Sequence, residues 1–389
     1  MWRGISLRKL GMLVFGPMLS ETLVMLFAAW MVLYAERSQG YEPWQHMLIP
    51  MMGSIGYAAS ALIAGRWVTP AWAPRLMIAT ILVVAALGIS AMALASYPGF
   101  LALGLLIGLT IGHYYTPFQI NMTHVRPFRT LAWSVAFYNV AWGTGAAVGP
   151  FLGSSLRTAT MPALIGLAVS LALAHTILAL AARTAPPPRQ EIIPTRVFNS
   201  TAAQRRVMLL AFVSINSIVR GLYITLWPNL GGRYGWSDAQ VGLGQFCIFA
   251  PVPIAALLWA RLRHRLDRPW IMLASMVVGV AGLAALPMMS HWAAAMACAT
   301  AVGLMESCVV FHAIYYMNAD PNPSSRSRSV GVFEMSAGLA AVLGPVCLGS
   351  LTWVAQRYET PWLPYMFGAA VVAAAIGYVL LATGRRPRA

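Results

Sequence analysis

The chain has 389 residues, of which 59% are hydrophobic and only 9% charged, with a formal net charge of +16. So apolar a composition over this length excludes a soluble multidomain protein and points to an integral membrane protein. The positive charge does not imply nucleic acid, because the basic residues fall in short gaps between apolar runs and form no single polar face.

The first apolar run follows Arg3, Arg8 and Lys9 and extends over 11–34. That is longer than a signal-peptide core, so a retained transmembrane helix is expected. Further runs of about 20 residues, the length that crosses ~30 Å of hydrocarbon, recur at 43–64, 76–95, 98–118, 131–155 and 161–183. The polar stretch from Arg183 to Arg206, with Pro186, Pro187, Pro188 and Pro194, cannot span and reads as a cytoplasmic linker. A second set follows at 206–228, 238–260, 270–289, 292–316, 329–353 and 362–384. The expected fold is an all-α membrane protein of twelve transmembrane helices in two parallel six-helix repeats, residues 1–183 and 206–389, joined by linker 184–205.

The basic residues test this count. Outside the spans they lie at the termini and in the gaps after the even-numbered helices, except Arg37, Arg157, Arg233 and Arg357. Such a bias marks the cytoplasmic side, and a missed or invented helix would invert it downstream. Both termini and the linker are therefore expected in the cytoplasm, in a bacterial inner (plasma) membrane.

The halves also repeat in detail. Residues 131–155 map onto 326–350 at an offset of 195, carrying Ser134, Gly143, Gly149 and Pro150 onto Ser329, Gly338, Gly344 and Pro345. A fixed offset indicates duplication. So many glycines around a proline suit a membrane helix, where small residues let neighbours approach closely and other groups satisfy the freed carbonyl.

Chemical motifs of soluble enzymes are missing from the sequence. Cys247, Cys298, Cys308 and Cys347 lie in apolar segments without metal-ligand spacing, and there is no phosphate loop or nucleophile constellation. Neither an enzyme, nor a metal, nor a cofactor is expected.

The six-plus-six arrangement, the charged central segment and the run Gly145-x-x-x-Gly149-Pro150-x-x-Gly153-Ser154 in the fifth helix together resemble the major facilitator superfamily. In that family a similar run, ending in Gly where Ser154 stands, is associated with proton-coupled antiporters. The resemblance implies that Gly149 and Pro150 bend the helix at the interface between halves, with Gly145, Gly344 and Pro345 in the same conformational role. The alternative is that Gly-Pro only permits close packing, which its recurrence at Gly344-Pro345 favours. The family's loop motif after the second helix is poorly kept, since Thr69 and Pro70 replace the expected Asp and Arg. No subfamily follows.

Ionisable side chains within a bilayer are costly and usually face a cavity or a partner. Glu21, Arg220 and Glu306 lie deep in the first, seventh and tenth helices. In the superfamily the first, fourth, seventh and tenth helices line a central cavity, which implies that these three meet there. At the repeat offset Glu21 corresponds to Asn216, four residues before Arg220 and so on its helical face. A carboxylate paired with Arg220 stays ionised, whereas one facing apolar walls can take up and release protons. The alternative is a static charge pair. His113, Tyr114 and His312 are further solute or proton candidates, with Tyr115, Trp30, Trp142, Gln119 and Asn121 as weaker cavity candidates. Glu334, with its repeat partner Asn139, is expected as a gate near the cytoplasmic end. His46 and His175 are expected to be structural.

The leading reading is a monomeric secondary transporter of a small organic solute, working by alternating access and coupled to protons, with antiport slightly favoured. An uncoupled facilitator and a non-transporting receptor or scaffold are the alternatives. The loop charges generate a direct test. Reporter fusions at the C-terminus and cysteine labelling within the linker should both report the cytoplasmic side, and a C-terminus on the outside would overturn the topology.

Overall fold

The computed structural model describes residues 7–37, 39–41, 43–69, 71–125, 131–156, 160–183, 200–262, 270–320 and 322–384. Most of the expected linker, residues 184–199, lies outside the described residues, as do the side chains of Lys9, His46, Asn121 and Ser154.

Twelve long helices follow one another: α1 (Leu7–Arg37), α2 (Pro43–Trp67), α3 (Ala73–Leu94), α4 (Tyr97–Val125), α5 (Leu131–Ser155) and α6 (Met161–Arg183), then α7 (Ala202–Tyr234), α8 (Asp238–Arg261), α9 (Trp270–Met288), α10 (Trp292–Asn318), α11 (Pro323–Arg357) and α12 (Leu363–Gly384). Among the described residues, eleven helices are long and apolar enough to cross a membrane. The helix left out by hydropathy is α5. Its 25 residues reach about 37 Å at 1.5 Å each, but glycines, aromatics and small polar residues dilute its apolar character. That composition fits its place in the bundle, where α5 packs extensively on α1 and α8.

Helix starts and breaks follow local chemistry. Thr201 and Ser237 open α7 and α8 with capping boxes, each hydroxyl accepting from the backbone N–H of the glutamine three residues on, Gln204 and Gln240. Within α7, Pro228 brings no N–H to the Ile224 carbonyl. The ladder slips there to a π-helical turn over Leu222–Leu226, with the Trp227 N–H reaching Leu222. The π turn directly follows Arg220.

Glycine contacts verify the repeat at atomic level. A side chain on Gly149 of α5 would meet the Thr22 carbonyl oxygen at 2.9 Å and Leu26 on α1, and one on Gly344 of α11 would meet Ser217 and Gly221 on α7. All three positions differ by 195. In the same way Gly108 of α4 abuts Gly53 of α2, and Gly303 of α10 abuts Ile248 of α8. Between halves, Gly143 of α5 touches Pro253 of α8, and its repeat equivalent Gly338 of α11 touches Ala58 of α2, again at the same offset. Helices α5 and α11 thus occupy equivalent positions, and the two interfaces between halves are copies of one another, as a two-fold relation between parallel repeats requires.

Gly145 and Gly149 face α1 of their own half, Gly344 faces α7 of its own, and the glycines at the interface between halves are Gly143 and Gly338. The expectation that Gly149-Pro150 bends at that interface is corrected accordingly. The helical period decides it: Gly143 and Gly149 are six residues apart, well over half of a second turn, and so look in different directions.

Replacing Gly149 or Gly344 with Val should force α1 from α5, or α7 from α11, at about 1–3 kcal/mol for overpacking. Gly166 of α6 has open space where a side chain would go. Gly166→Val should therefore melt as the parent does, while the other two variants melt measurably lower in thermal denaturation of the purified protein.

Candidate functional site

Between the halves lies a cavity of about 190 Å³, walled mostly by apolar groups from α1, α2, α4, α7, α10 and α11. Four ionisable side chains line it: Glu21 from α1, Arg220 from α7, Glu306 from α10 and Glu334 from α11. Asn216, Tyr57, Tyr115, Tyr138, Trp142 and Tyr223 are among its other polar and aromatic lining residues.

Each charged group has a different environment. Glu21 rests on Gly145, where even a methyl would collide with its Cβ, and its carboxylate accepts a hydrogen bond from the Tyr115 hydroxyl. Arg220 directs its Nε to Asn216 Oδ1 at 3.4 Å. Its guanidinium carbon stands 5.4 Å from the Phe249 ring centroid and 5.9 Å from that of Trp142, within range for cation–π attraction. Glu306 is 0% exposed, and neither of its oxygens has a hydrogen-bond partner. Glu334 accepts from the Tyr57 hydroxyl and from the Gln119 side-chain amide.

The expected ion pair is not formed. Among the described residues no carboxylate oxygen lies within 4.0 Å of Arg220. The four residues from Asn216 to Arg220 form one helical turn, which holds the guanidinium against its own amide and the aromatic edge of α5 and α8.

Glu334 also belongs to a bridge between the halves. Tyr57 and Gln119 come from the first half, Glu334 and Asn318 from the second, and Asn318 donates in turn to Gln119 Oε1 at 3.3 Å. Gln119 further reaches the Tyr138 hydroxyl at 3.4 Å. Gln119 and Asn318 lie near the ends of α4 and α10 on the side where the linker joins, whereas the cavity lining continues the other way to Met31, Ile49 and Gly104.

The structure brings Glu21, Asn216, Arg220 and Glu306 together on one cavity. It also places Glu334 on the same cavity. Helix α11 starts at Pro323, earlier than expected, so Glu334 lies eleven residues in, about 16 Å along the axis. His113, Tyr114, Asn139 and His312 do not line the cavity. His113 turns to the Leu109 carbonyl at 3.0 Å and toward Trp67. Tyr114 hydrogen-bonds His175 at 2.9 Å, tying α4 to α6. Asn139 donates to the Val135 carbonyl at 2.8 Å in its own helix, and His312 Nδ1 bonds the Cys308 carbonyl at 2.7 Å. Trp30 stacks on Tyr34, away from the cavity.

The reason in α4 is angular. Successive residues differ by about 100°, so Tyr115 faces the cavity and Tyr114 faces α6. The spacing Gly104, Gly108, Ile111, Tyr115, all cavity-lining, is a helical stripe that could have selected Tyr115. Nothing in sequence signals Tyr57, whose partner Glu334 is 277 residues away.

Residues 207–389 match the family model described as the Major Facilitator Superfamily. The crystal structure of the human organic anion transporter MFSD10 (TETRAN) superposes with a TM-score of 0.73, covering 96% of this chain and 99% of that one at 16% identity. At that identity the likeness is one of fold. No protein of curated function matches the sequence. The second half therefore resembles the Major Facilitator Superfamily in sequence, and nearly the whole chain shares the fold of a solved transporter.

Proposed function

We propose that the protein is a proton-coupled secondary transporter that carries a small organic solute through the cavity between its halves by alternating access. Glu306 carries this reading. A carboxylate wholly enclosed among apolar groups, with neither oxygen hydrogen-bonded, is costly to hold as an anion. In this state Glu306 holds the proton, and the Glu21 carboxyl accepts a hydrogen bond from the Tyr115 hydroxyl. When the halves rock and the cavity is hydrated from the other side, Glu306 is freed to release it, which links proton movement to conformation.

The bridge of Tyr57, Glu334, Gln119 and Asn318 closes the linker side in this state. With the basic gaps setting orientation, that side is the cytoplasm of a bacterial inner membrane, and residues 1–183 and 206–389 are the rocking bundles. The run from Gly145 to Ser154 supports antiport as the direction of coupling, and a single chain contains the whole cavity, which supports a working monomer. The printed description of the MFSD10 neighbour, an organic anion transporter, supports an organic solute.

In proteoliposomes screened for solute uptake with and without an imposed pH gradient, the parent protein should accumulate its solute only with the gradient. Glu306→Gln should abolish accumulation while leaving solute exchange across a balanced membrane within about twofold, because the substitution mimics the protonated form and interrupts coupling only. Should Glu306→Gln and Glu21→Gln both accumulate solute with the parent's pH dependence, the protein is an uncoupled facilitator.

The bridge makes its own prediction. Tyr57→Phe combined with Gln119→Ala removes both donors to Glu334, each hydrogen bond to a charged group being worth about 1.5–3 kcal/mol. A cysteine at Ala337 on the cavity wall should then be alkylated from the linker side at least tenfold faster than in the parent. Unchanged labelling would remove the bridge from any gating role.

A further inference from the structure

We propose that Arg220 is the anchor for the solute and that the solute is a monoanionic amphiphile, a carboxylate or sulfonate attached to an aromatic or bulky apolar body. This rests on the reading of the cavity as the transport site and goes beyond it by naming the chemical class.

The charged groups on the cavity differ in what bonding they leave free. Glu334 is occupied by two donors from the opposite half and Glu21 by the Tyr115 hydroxyl. Glu306 borders the cavity with both carboxyl oxygens buried. Arg220 alone among the described ionisable residues of the wall combines partial exposure with unused hydrogen-bonding capacity. Its single side-chain hydrogen bond uses Nε, at 3.4 Å. The two terminal nitrogens make none with the described residues. A guanidinium fork of this kind fits a planar carboxylate or a sulfonate through two parallel hydrogen bonds.

The surroundings define the rest of the solute. Phe249 and Trp142 hold the guanidinium by its face, which fixes the fork without spending its donors. The lining includes Phe27, Ile49, Ile107, Ile111 and Phe212, so a body that follows the anionic head must be apolar. Among the described residues of the wall no second cation is present to receive a second negative charge. A cationic head, by contrast, would meet the unpaired charge of Arg220.

Equilibrium binding to the purified full chain tests this without requiring transport or coupling. The probes are 2-naphthoate, 2-naphthamide and 2-naphthylmethylamine, which share a body and differ in head charge, titrated by calorimetry in detergent. The anion should bind at least tenfold more tightly than the amide and the amine. Arg220→Met should lower naphthoate affinity by at least tenfold, and Arg220→Lys, which keeps the charge but not the fork, should fall between. Each variant must match the parent in elution and helical circular dichroism, and if Arg220→Met does not, the comparison passes to Arg220→Lys and the three-probe ranking of the parent. Equal affinity for the three probes, preference for the amine, no binding of any probe, or full naphthoate affinity in the Arg220 variants would overturn the assignment. Such a failure leaves gradient-driven accumulation and its dependence on Glu306 untouched, so the two readings stand or fall separately.

Discussion

The close approach of helix backbones at a few glycines sets the architecture on which everything else in this protein depends. Lipid supplies no hydrophobic drive for one transmembrane helix to leave it for another, so association rests on packing over short distances. Gly149 against Thr22 and Gly344 against Ser217 lock α1 to α5 and α7 to α11, and Gly143 and Gly338 make the two copies of the contact between halves. The same columns position chemistry. Gly145 is the seat of Glu21, and any side chain there would displace the carboxylate from the Tyr115 hydroxyl.

Within that frame the cavity is electrically unbalanced by design of sequence, with three glutamates and one arginine on its wall. The imbalance is managed by three different means. Hydroxyl and amide donors satisfy Glu21 and Glu334, aromatic faces and an amide oxygen hold Arg220, and Glu306 is left with nothing. A carboxyl group in the last position is costly to hold as an anion.

The two halves are not identical where they work. Glu21 faces Asn216 across the repeat, Glu334 faces Asn139, and the π turn after Arg220 has no counterpart in the regular helix of α1. Duplication gave the bundle its two-fold frame, and divergence at a few positions gave the cavity its polarity. The hydrogen-bonded bridge is likewise one-sided: Tyr57, Gln119, Glu334 and Asn318 join the halves near the linker, while the apolar lining runs toward the other face.

How much of this was legible in sequence follows from which forces are local. Helix number, order and repeat were readable because the bilayer forces every span to be a long apolar helix and a fixed 195-residue offset survives as aligned glycines and prolines. The positions of Glu21, Arg220 and Glu306 along their helices were readable for the same reason, as distance along a helix is a count of residues. Rotation about the helix axis and the choice of partner were not. Tyr115 in place of Tyr114, the withdrawal of His113, His312 and Asn139 from the cavity, and the Tyr57–Glu334 bond all depend on how helices from two halves are turned toward one another. That angle is fixed by packing among residues hundreds of positions apart, and only the folded bundle brings them into contact.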